Sequence, residues 1–228
     1  MKRLAQCLLI VAGLQTGASA LPLLQLDASP GYYVGGANES TIAADPEFTL
    51  FAMYAGLNPT GTFYISAAVA GTLPNSPVDL GSFTFGGQVI DVSADMTWGS
   101  PSLMPPHGVY PTWYKEFAFT FDGASKMNNY NVEDVAGLHT GPVAQLIGGT
   151  GLFVPFEVDV SGLAEGTTLI FDLYTYTGSG SKLKIKKAPF SHNAEGSNPP
   201  SVPDGAATAA LLGLGLLGLE AGRRRFLK

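Results

Sequence analysis

The chain has 228 residues, of which 46% are hydrophobic and 13% are charged, and its formal net charge is −6. Half of its twelve Lys and Arg residues lie in the first three or the last six positions, so residues 21–203 hold six basic and sixteen acidic side chains, a net charge of −10. This acidic body excludes nucleic acid and anionic lipid as favoured partners, because both are bound through Lys and Arg.

The first twenty residues, MKRLAQCLLIVAGLQTGASA, have the order of a secretory signal peptide. Two basic residues precede an apolar stretch, and the small residues Ala18, Ser19 and Ala20 follow it. This order predicts an N-terminal signal helix over residues 1–20 and cleavage by signal peptidase at the Ala-Ser-Ala site. We therefore expect the chain to be exported across the inner membrane of a bacterium.

Cys7 is the only cysteine of the sequence, and it lies inside the predicted signal peptide. Disulfide bonds therefore cannot stabilise the exported part, whose stability has to come from its core. The body is long enough for one domain that buries about 70% of its unfolded surface. We expect a single folded domain over residues 21–190.

Apolar side chains recur at every second position along much of the body, which is the pattern of half-buried strands. Glycine and proline separate these segments, and none of the long helices that βαβ units need lies between them. An all-β fold with about seven to ten strands, a single two-layer β-sandwich of cohesin-like or jelly-roll-like type, is therefore predicted. The predicted strand segments are FTLFAMY, FYISAAV, FTF, KEFAFTF, FVPFEVDV, TLIFDLYTY and KLKIKK.

Three segments of the body differ from this pattern. Residues 125–149 lack alternation and contain Pro142 and repeated glycines, which predicts a loop or a short helix. The segment KLKIKK predicts an edge strand protected by its lysines, with a patch for an anionic ligand as the alternative. Residues 191–201 are rich in Gly, Ser, Asn and Pro and are predicted to form a linker.

The body shows no catalytic motif. His107, His139 and His192 have no Cys, Asp or Glu at metal-ligand spacing, so we expect each to be a loop histidine with local hydrogen bonds. No serine lies in the strand-to-helix setting of a nucleophile elbow, and the glycine pairs in FGGQ and IGGTG predict turns. We therefore expect no enzyme activity, no catalytic residue and no cofactor.

Four acids on predicted strands are the remaining candidates for chemistry. Glu157 and Asp159 share the polar face of one strand, while Asp172 and Asp27 lie on two others. Paired carboxylates serve glycoside cleavage or bind calcium, although the sequence has no calcium-loop motif. We expect these acids to be solvated, with an extracellular hydrolase or a calcium site as alternatives.

Aromatic residues gather around the proline-rich segment PSLMPPHGVYPTWY. Trp98, Trp113 and Tyr114, together with Tyr110, are candidate glycan contacts, because exposed rings beside polar groups stack on sugars. Packing of these rings in the core or in a loop is the favoured alternative.

The C-terminus has the layout of a membrane address. Residues 206–222 predict a transmembrane helix of about 25 Å, slightly short of a ~30 Å hydrocarbon core. The basic tail over residues 223–228 begins with the stop-transfer residues Arg223, Arg224 and Arg225, which orient the C-terminus toward the cytoplasm. This short helix predicts a transient stay at the inner membrane, with an ordinary tail anchor as the alternative.

The segment over residues 202–228 resembles a PEP-CTERM sorting signal, in which a short motif, an apolar helix and an arginine cluster follow in order. Val202, Pro203, Asp204 and Gly205 stand where the commonest form has Pro-Glu-Pro, as in a VPDSG-like variant. The resemblance implies processing by an exosortase, a membrane-embedded cysteine protease of bacteria that make extracellular polysaccharide. It therefore implies delivery to the cell surface or the extracellular matrix.

The body resembles the choice-of-anchor N family of exported bacterial proteins, whose members share a domain but carry different attachment tails. This resemblance brings no enzymatic activity and no site residues. It implies a non-enzymatic surface β domain, with an extracellular carbohydrate-binding module as the alternative function. The segments that carry it are LPLLQLDASPGYY, ESTIAADPEFTLFAMY, FYISAAV, MPPHGVYPTWYKEFAFTF, FEVDVSGL, IFDLYTY and KAPFSHNAEG.

Overall fold

The computed structural model describes residues 21–35, 39–71, 79–104, 108–139 and 149–199. Within these ranges the strands are β1 (Leu24–Ser29), β2 (Gly31–Val34), β3 (Ser40–Ala43), β4 (Glu47–Tyr54), β5 (Phe63–Val69), β6 (Ser82–Phe85), β7 (Gln88–Asp91), β8 (Thr97–Gly99), β9 (Thr112–Phe119), β10 (Ser125–Met127), β11 (Gly151–Asp159), β12 (Thr168–Thr177), β13 (Lys184–Lys187) and β14 (Asn193–Ser197). The described helical segments are α1 (Val92–Asp95) and three 3-10 turns, at Val132–Asp134, Gly180–Lys182 and Phe190–His192.

The strands form two sheets. In the described part of the chain the first sheet has the order β1-β4-β11-β6-β7, with β10 beside β11, and the second has the order β2-β3-β14-β12-β5-β9-β8, with β13 beside β12. Strands β14 and β3 pair in parallel, while the other described pairs are antiparallel. The prediction of a two-layer β-sandwich is confirmed.

The main core lies between the two sheets and comes from alternate residues of their strands. Phe48 and Leu50 of β4 and Phe171 and Leu173 of β12 are all buried in it. The rings of Phe48 and Phe171 meet edge to face, with centroids 6.1 Å apart, and so connect the two sheets. Side chains of a strand alternate between its faces, so every second residue of these strands points into the core.

The end of β14 is shaped to receive one of these rings. A Cβ atom at Gly196 would lie 2.5 Å from Cε1 of Phe48, which is closer than non-bonded carbon atoms approach. A side chain at this position would therefore displace the ring that connects the sheets.

A second, smaller apolar cluster covers the outer face of the first sheet. Phe51, Met53 and Phe153 point outward from β4 and β11. They are covered by Met127 and Val132, which lie in the segment between β9 and β11. This cluster explains why the segment FTLFAMY is apolar on both faces. The covering chain, which we predicted as a loop or short helix, contains β10 and the 3-10 turn at Val132–Asp134.

Two predictions about the strands are wrong. The described residues form fourteen strands rather than seven to ten, because strands of three or four residues, such as β7, β8 and β10, are too short to show alternation. The predicted linker over 191–201 contains β14, which lies between β3 and β12. The polar composition of this segment gives no strand pattern, because β14 is held in the sheet by pairing with β3 and β12, which are not adjacent to it in sequence.

The prediction for KLKIKK is confirmed, since among the described residues its strand β13 pairs with β12 alone. Lys184 and Lys186 of this edge strand are exposed.

No helix in the described ranges has both the length and the apolar character needed to span a bilayer. The predicted signal helix over 1–20 and the predicted transmembrane helix over 206–222 lie outside those ranges.

We expect Phe171→Ala to lower the free energy of unfolding by about 3–5 kcal/mol, because it leaves a cavity where the two sheets meet. Urea unfolding of the purified protein measures the loss. Val89→Ala is the matched control, since Val89 is 70% exposed and its truncation should change stability by less than about 0.5 kcal/mol. Equal effects of the two substitutions would contradict this account of the core.

Candidate functional site

The outer face of the second sheet carries a row of tyrosines. Tyr64 of β5 pairs in register with Tyr174 of β12, and Tyr176 follows two positions later on the same face. The Tyr64 ring stacks on Tyr174 with centroids 5.5 Å apart and on Tyr176 with centroids 5.4 Å apart. The hydroxyl oxygens of Tyr64 and Tyr176 lie 3.1 Å apart and share a hydrogen bond.

Strand β9 and the chain before it extend this row. Tyr110 meets Tyr114 edge to face with centroids 6.1 Å apart. The Tyr110 hydroxyl donates to Oδ2 of Asp172 over 3.2 Å and lies 2.9 Å from Oγ of Ser66. Glu116 of β9 stands opposite Ser66 in register, and its side chain is exposed. We name this surface the tyrosine face, which consists of Tyr64, Tyr110, Tyr114, Tyr174, Tyr176 and Glu116.

Burial and hydrogen bonding raise the pKa of three tyrosines of this face. Burial, followed by the negative charge of Asp172, raises the pKa of Tyr110 far above its usual value. The hydrogen bond with Tyr176 raises the pKa of Tyr64, and burial raises that of Tyr114. Desolvation also raises the pKa of Glu116. The face therefore offers hydroxyl groups, the half-buried rings of Tyr64, Tyr110, Tyr114 and Tyr176, and one carboxylate, which suit a hydroxyl-rich neutral ligand, whereas the Tyr174 ring is buried.

The structure separates the aromatic residues that we predicted as glycan contacts. Trp98 and Trp113 are register partners on β8 and β9, and their rings meet edge to face with centroids 5.9 Å apart. Trp113 packs against the main core, whereas Tyr114, the next residue, points to the outer face. Tyr114 and Tyr110 therefore share a face, and the two tryptophans lie on the opposite side of the sheet.

Two of the four candidate acids are buried, so the expectation that they are solvated is wrong. Asp27 is 0% exposed and accepts hydrogen bonds from the Tyr130 hydroxyl and from Nε2 of His139. Asp172 is 2% exposed and accepts hydrogen bonds from Tyr110 and from Nδ2 of Asn193. Burial of these carboxylates is offset by hydrogen bonds that distant parts of the chain supply.

The other two acids line a groove of about 400 Å³ on the outer face of the first sheet, beside Glu47. Glu157 accepts a hydrogen bond from the Thr49 hydroxyl over 3.2 Å, and Asp159 accepts one from the Ser161 backbone N–H over 2.8 Å. The described residues contain no group of three or more His, Cys, Asp or Glu side chains arranged to hold a metal ion. This groove therefore gives no support to the calcium alternative.

The two described histidines serve buried hydrogen-bond networks. Nε2 of His139 donates to Oδ1 of Asp27 over 2.8 Å, and the His139 backbone exchanges two hydrogen bonds with Gly31. Nε2 of His192 lies 2.7 Å from Oδ1 of Asn131, and its Nδ1 lies 3.6 Å from a Glu133 oxygen. Both histidines thus attach the chain over residues 130–139 to the sandwich through partners that are distant in sequence. His107 lies outside the described residues.

Comparison with known proteins adds one finding at the C-terminus. Residues 201–226 match the VPDSG-CTERM motif. The chain carries a C-terminal sorting signal. The VPDSG-CTERM match covers the residues predicted to form the motif, the apolar helix and the arginine cluster, and it fits an exported surface protein. No curated protein matches the chain.

A solved structure found by comparison is ACE19, the collagen-binding subdomain of the Enterococcus faecalis surface protein ACE. The likeness covers 79% of this chain and 99% of that chain, at 9% sequence identity and a TM-score of 0.24. A TM-score this low supports no conclusion about the present chain.

The pKa of His139 generates a prediction about stability and pH. The hydrogen bond with Asp27 raises this pKa above the ordinary value, so the contact stabilises the fold below about pH 6.5 and the stabilisation is lost as pH rises through the raised pKa. The destabilisation caused by His139→Gln should therefore be larger at about pH 5.5 than at about pH 8.5. Urea unfolding at the two pH values measures the difference.

His192→Gln is the comparison for this experiment. Burial lowers the pKa of His192, so its neutral form stabilises the fold above about pH 6.5. This stabilisation is lost as the pH falls below about 6.5 through the lowered pKa. The destabilisation caused by His192→Gln should be larger at the higher pH. The same trend for both variants would show that the Asp27 contact does not control the titration of His139.

Proposed function

We propose that the chain is a non-enzymatic cell-surface or extracellular-matrix protein that an exosortase-type protease processes through its C-terminal signal. The match of residues 201–226 to the VPDSG-CTERM motif is the observation that supports this proposal. In this account signal peptidase removes residues 1–20, and the helix over 206–222 holds the chain at the inner membrane until processing. Arg223, Arg224 and Arg225 act as the stop-transfer charge.

The borders of the folded domain are compatible with both cuts. β1 begins at Leu24 and β14 ends at Ser197. Cleavage after Ala20 and a second cleavage within the motif Val202-Pro203-Asp204-Gly205 would leave every described strand intact. The released domain would need no disulfide bond, since the main core is continuous between the two sheets.

We expect the mature protein from its native cells to lack residues 1–20 and the residues that follow the sorting motif. Intact mass spectrometry measures both ends in one experiment. Replacing Arg223, Arg224 and Arg225 together by Gln should abolish the C-terminal cut, because the stop-transfer charge that positions the motif is lost. Lys182→Gln is a control on an exposed turn of the folded domain, and it should leave both cuts unchanged. A mature chain that still ends in RRRFLK would contradict the proposal.

The tyrosine face supports a second, more specific function, which is binding of an extracellular polysaccharide. Its rings and neutral hydroxyl groups match the apolar faces and hydroxyl groups of a sugar chain. Glu116 and the net negative charge of the body disfavour an anionic polysaccharide, so the proposed ligand is neutral. Trp98 and Trp113 have no part in this proposal, because they lie on the other side of the sheet.

Two further alternatives have less support. Membership of the body in the choice-of-anchor N family stays a hypothesis that depends on the sequence segments quoted above. For a hydrolase that uses Glu157 and Asp159, the support is limited to the groove that these two residues share with Glu47.

For the polysaccharide proposal we expect Tyr114→Ala to reduce binding by about tenfold or more, the loss that follows when an aromatic contact worth about 1.4 kcal/mol is removed. An array of neutral polysaccharides, read by titration, identifies the ligand and measures the change. Val89→Ala on β7 is the control, because it truncates an exposed apolar side chain of the other sheet. Binding that Tyr114→Ala leaves unchanged, or the absence of binding to any neutral polysaccharide, would overturn the proposal.

A further inference from the structure

Strands β13 and β14 lie along the same edge of β12. Strand β5 pairs with β12 from Leu169 to Thr175 and so occupies one edge over that whole length. Lys187 of β13 pairs with Tyr174, and Ala194 of β14 pairs with Phe171, so both strands must use the opposite edge. The chain between them leaves the sheet in the 3-10 turn at Phe190–His192. The two strands are thus one edge strand interrupted by a short excursion.

This interruption brings a lysine and an asparagine close together on one face. Lys187 stands beside Tyr174, and Asn193, which precedes Ala194, stands beside Asp172. Residues side by side on paired strands share a face, and Asp172 and Tyr174 are two positions apart on β12. The backbones of Lys187 and Asn193 are therefore about 7 Å apart along the edge, which a lysine side chain can span. Asp172 lies on the same face, next to Asn193 and two positions along β12 from Tyr174, the residue that pairs with Lys187.

The Asn193 amide is buried and only half satisfied. Asn193 is 2% exposed, and its Nδ2 donates a hydrogen bond to Oδ1 of Asp172. Among the described residues its Oδ1 has no hydrogen-bond partner. A buried carbonyl oxygen without a partner is costly, and such groups in folded proteins call for a specific explanation.

Lys187 is suited to act as a nucleophile. Its Nζ lies 3.3 Å from the centroid of the Phe190 ring, and the described residues show no ion pair between this amine and a carboxylate. Desolvation lowers the pKa of Lys187, and the negative charge of Asp172 only partly opposes the effect. A lower pKa increases the neutral fraction of the amine, and the neutral amine is the form that attacks a carbonyl carbon.

From this arrangement we propose that Lys187 and Asn193 become joined by an intramolecular amide bond, with Asp172 carrying the proton. Nζ of Lys187 attacks Cγ of Asn193, and the proton that Nζ loses passes to the Asp172 carboxylate. Asp172 then gives this proton to Nδ2 as the Cγ–Nδ2 bond breaks, and ammonia leaves. One amine and one primary amide thus become one secondary amide and ammonia, without an oxidant, a metal or a cofactor.

The bond would supply a covalent link to a domain whose sequence offers no cysteine after position 7. It would join β14, the last described strand, to β13 across the turn at Phe190–His192. The proposal depends on the described residues alone, so it stands or fails separately from the sorting signal and from polysaccharide binding.

Mass spectrometry of the full chain as purified tests the bond. We expect the mass to be lower than the sequence mass, after any terminal processing, by one ammonia. Chymotrypsin cleavage of the denatured protein after Phe190 should leave the fragments that contain Lys187 and Asn193 joined, because the new bond bridges the cut. Separation of these fragments in the unmodified sequence would overturn the proposal.

Three variants distinguish the proposed amide bond from other reactions that release ammonia. Lys187→Arg and Asp172→Asn should both restore the full mass and release the two fragments. If the Asp172→Asn variant does not fold because its side chain is buried, Lys187→Arg still tests the bond. Lys186→Arg is the matched control on the same strand, one position away and on the other face, and it should keep the bond. Ammonia loss that persists in Lys187→Arg would assign the change to a succinimide at Asn193 and would overturn the proposal.

Discussion

Burial of both faces of β12 is the constraint on which the rest of the sandwich depends. Its inward residues, Phe171 and Leu173 among them, fill the core between the sheets. Its outward residues Asp172 and Tyr174 are buried as well, at 2% and 1% exposure. A carboxylate placed on such a strand needs hydrogen bonds from outside it, and Tyr110 and Asn193 provide them. The strand thus determines where the chain before β9 and the chain before β14 must pack.

The outer faces of the two sheets are covered in different ways. The first sheet is covered by the chain over residues 125–139, which packs Met127 and Val132 on Phe51 and Met53. Asp27 and His139 fasten this cover through a buried hydrogen bond. The second sheet has no apolar cover of this kind among the described residues, and tyrosines lie in its place. Tyrosine suits such a surface because its ring packs on neighbouring rings while its hydroxyl can form hydrogen bonds, as those of Tyr64 and Tyr176 do with each other.

The core packing has to supply most of the stability of a domain that has no disulfide bond. Here the aromatic rings contribute much of that packing, since the Phe85 ring alone stacks on Phe117, Phe156 and Phe171. Rings bury large apolar areas, which favours stability in a domain of this size. The VPDSG-CTERM motif at residues 201–226 follows this domain after a few residues, as suits a folded cargo with a terminal address.

The sequence alone was sufficient for the sandwich fold and for the C-terminal sorting signal, because local features indicate both: alternation of apolar residues, an apolar stretch and flanking charge. The signal peptide at the other end stays a prediction from the same kind of local pattern. Local order could not show that β14 is a strand, that Tyr114 shares an outer face with Tyr64 and Tyr174, or that Asp172 is buried beside Asn193. Those outcomes depend on which strands pair and in which register, and the partners are distant in the chain. Only the tertiary structure decided them, since a residue's burial on a sheet depends on neighbours that its own segment does not contain.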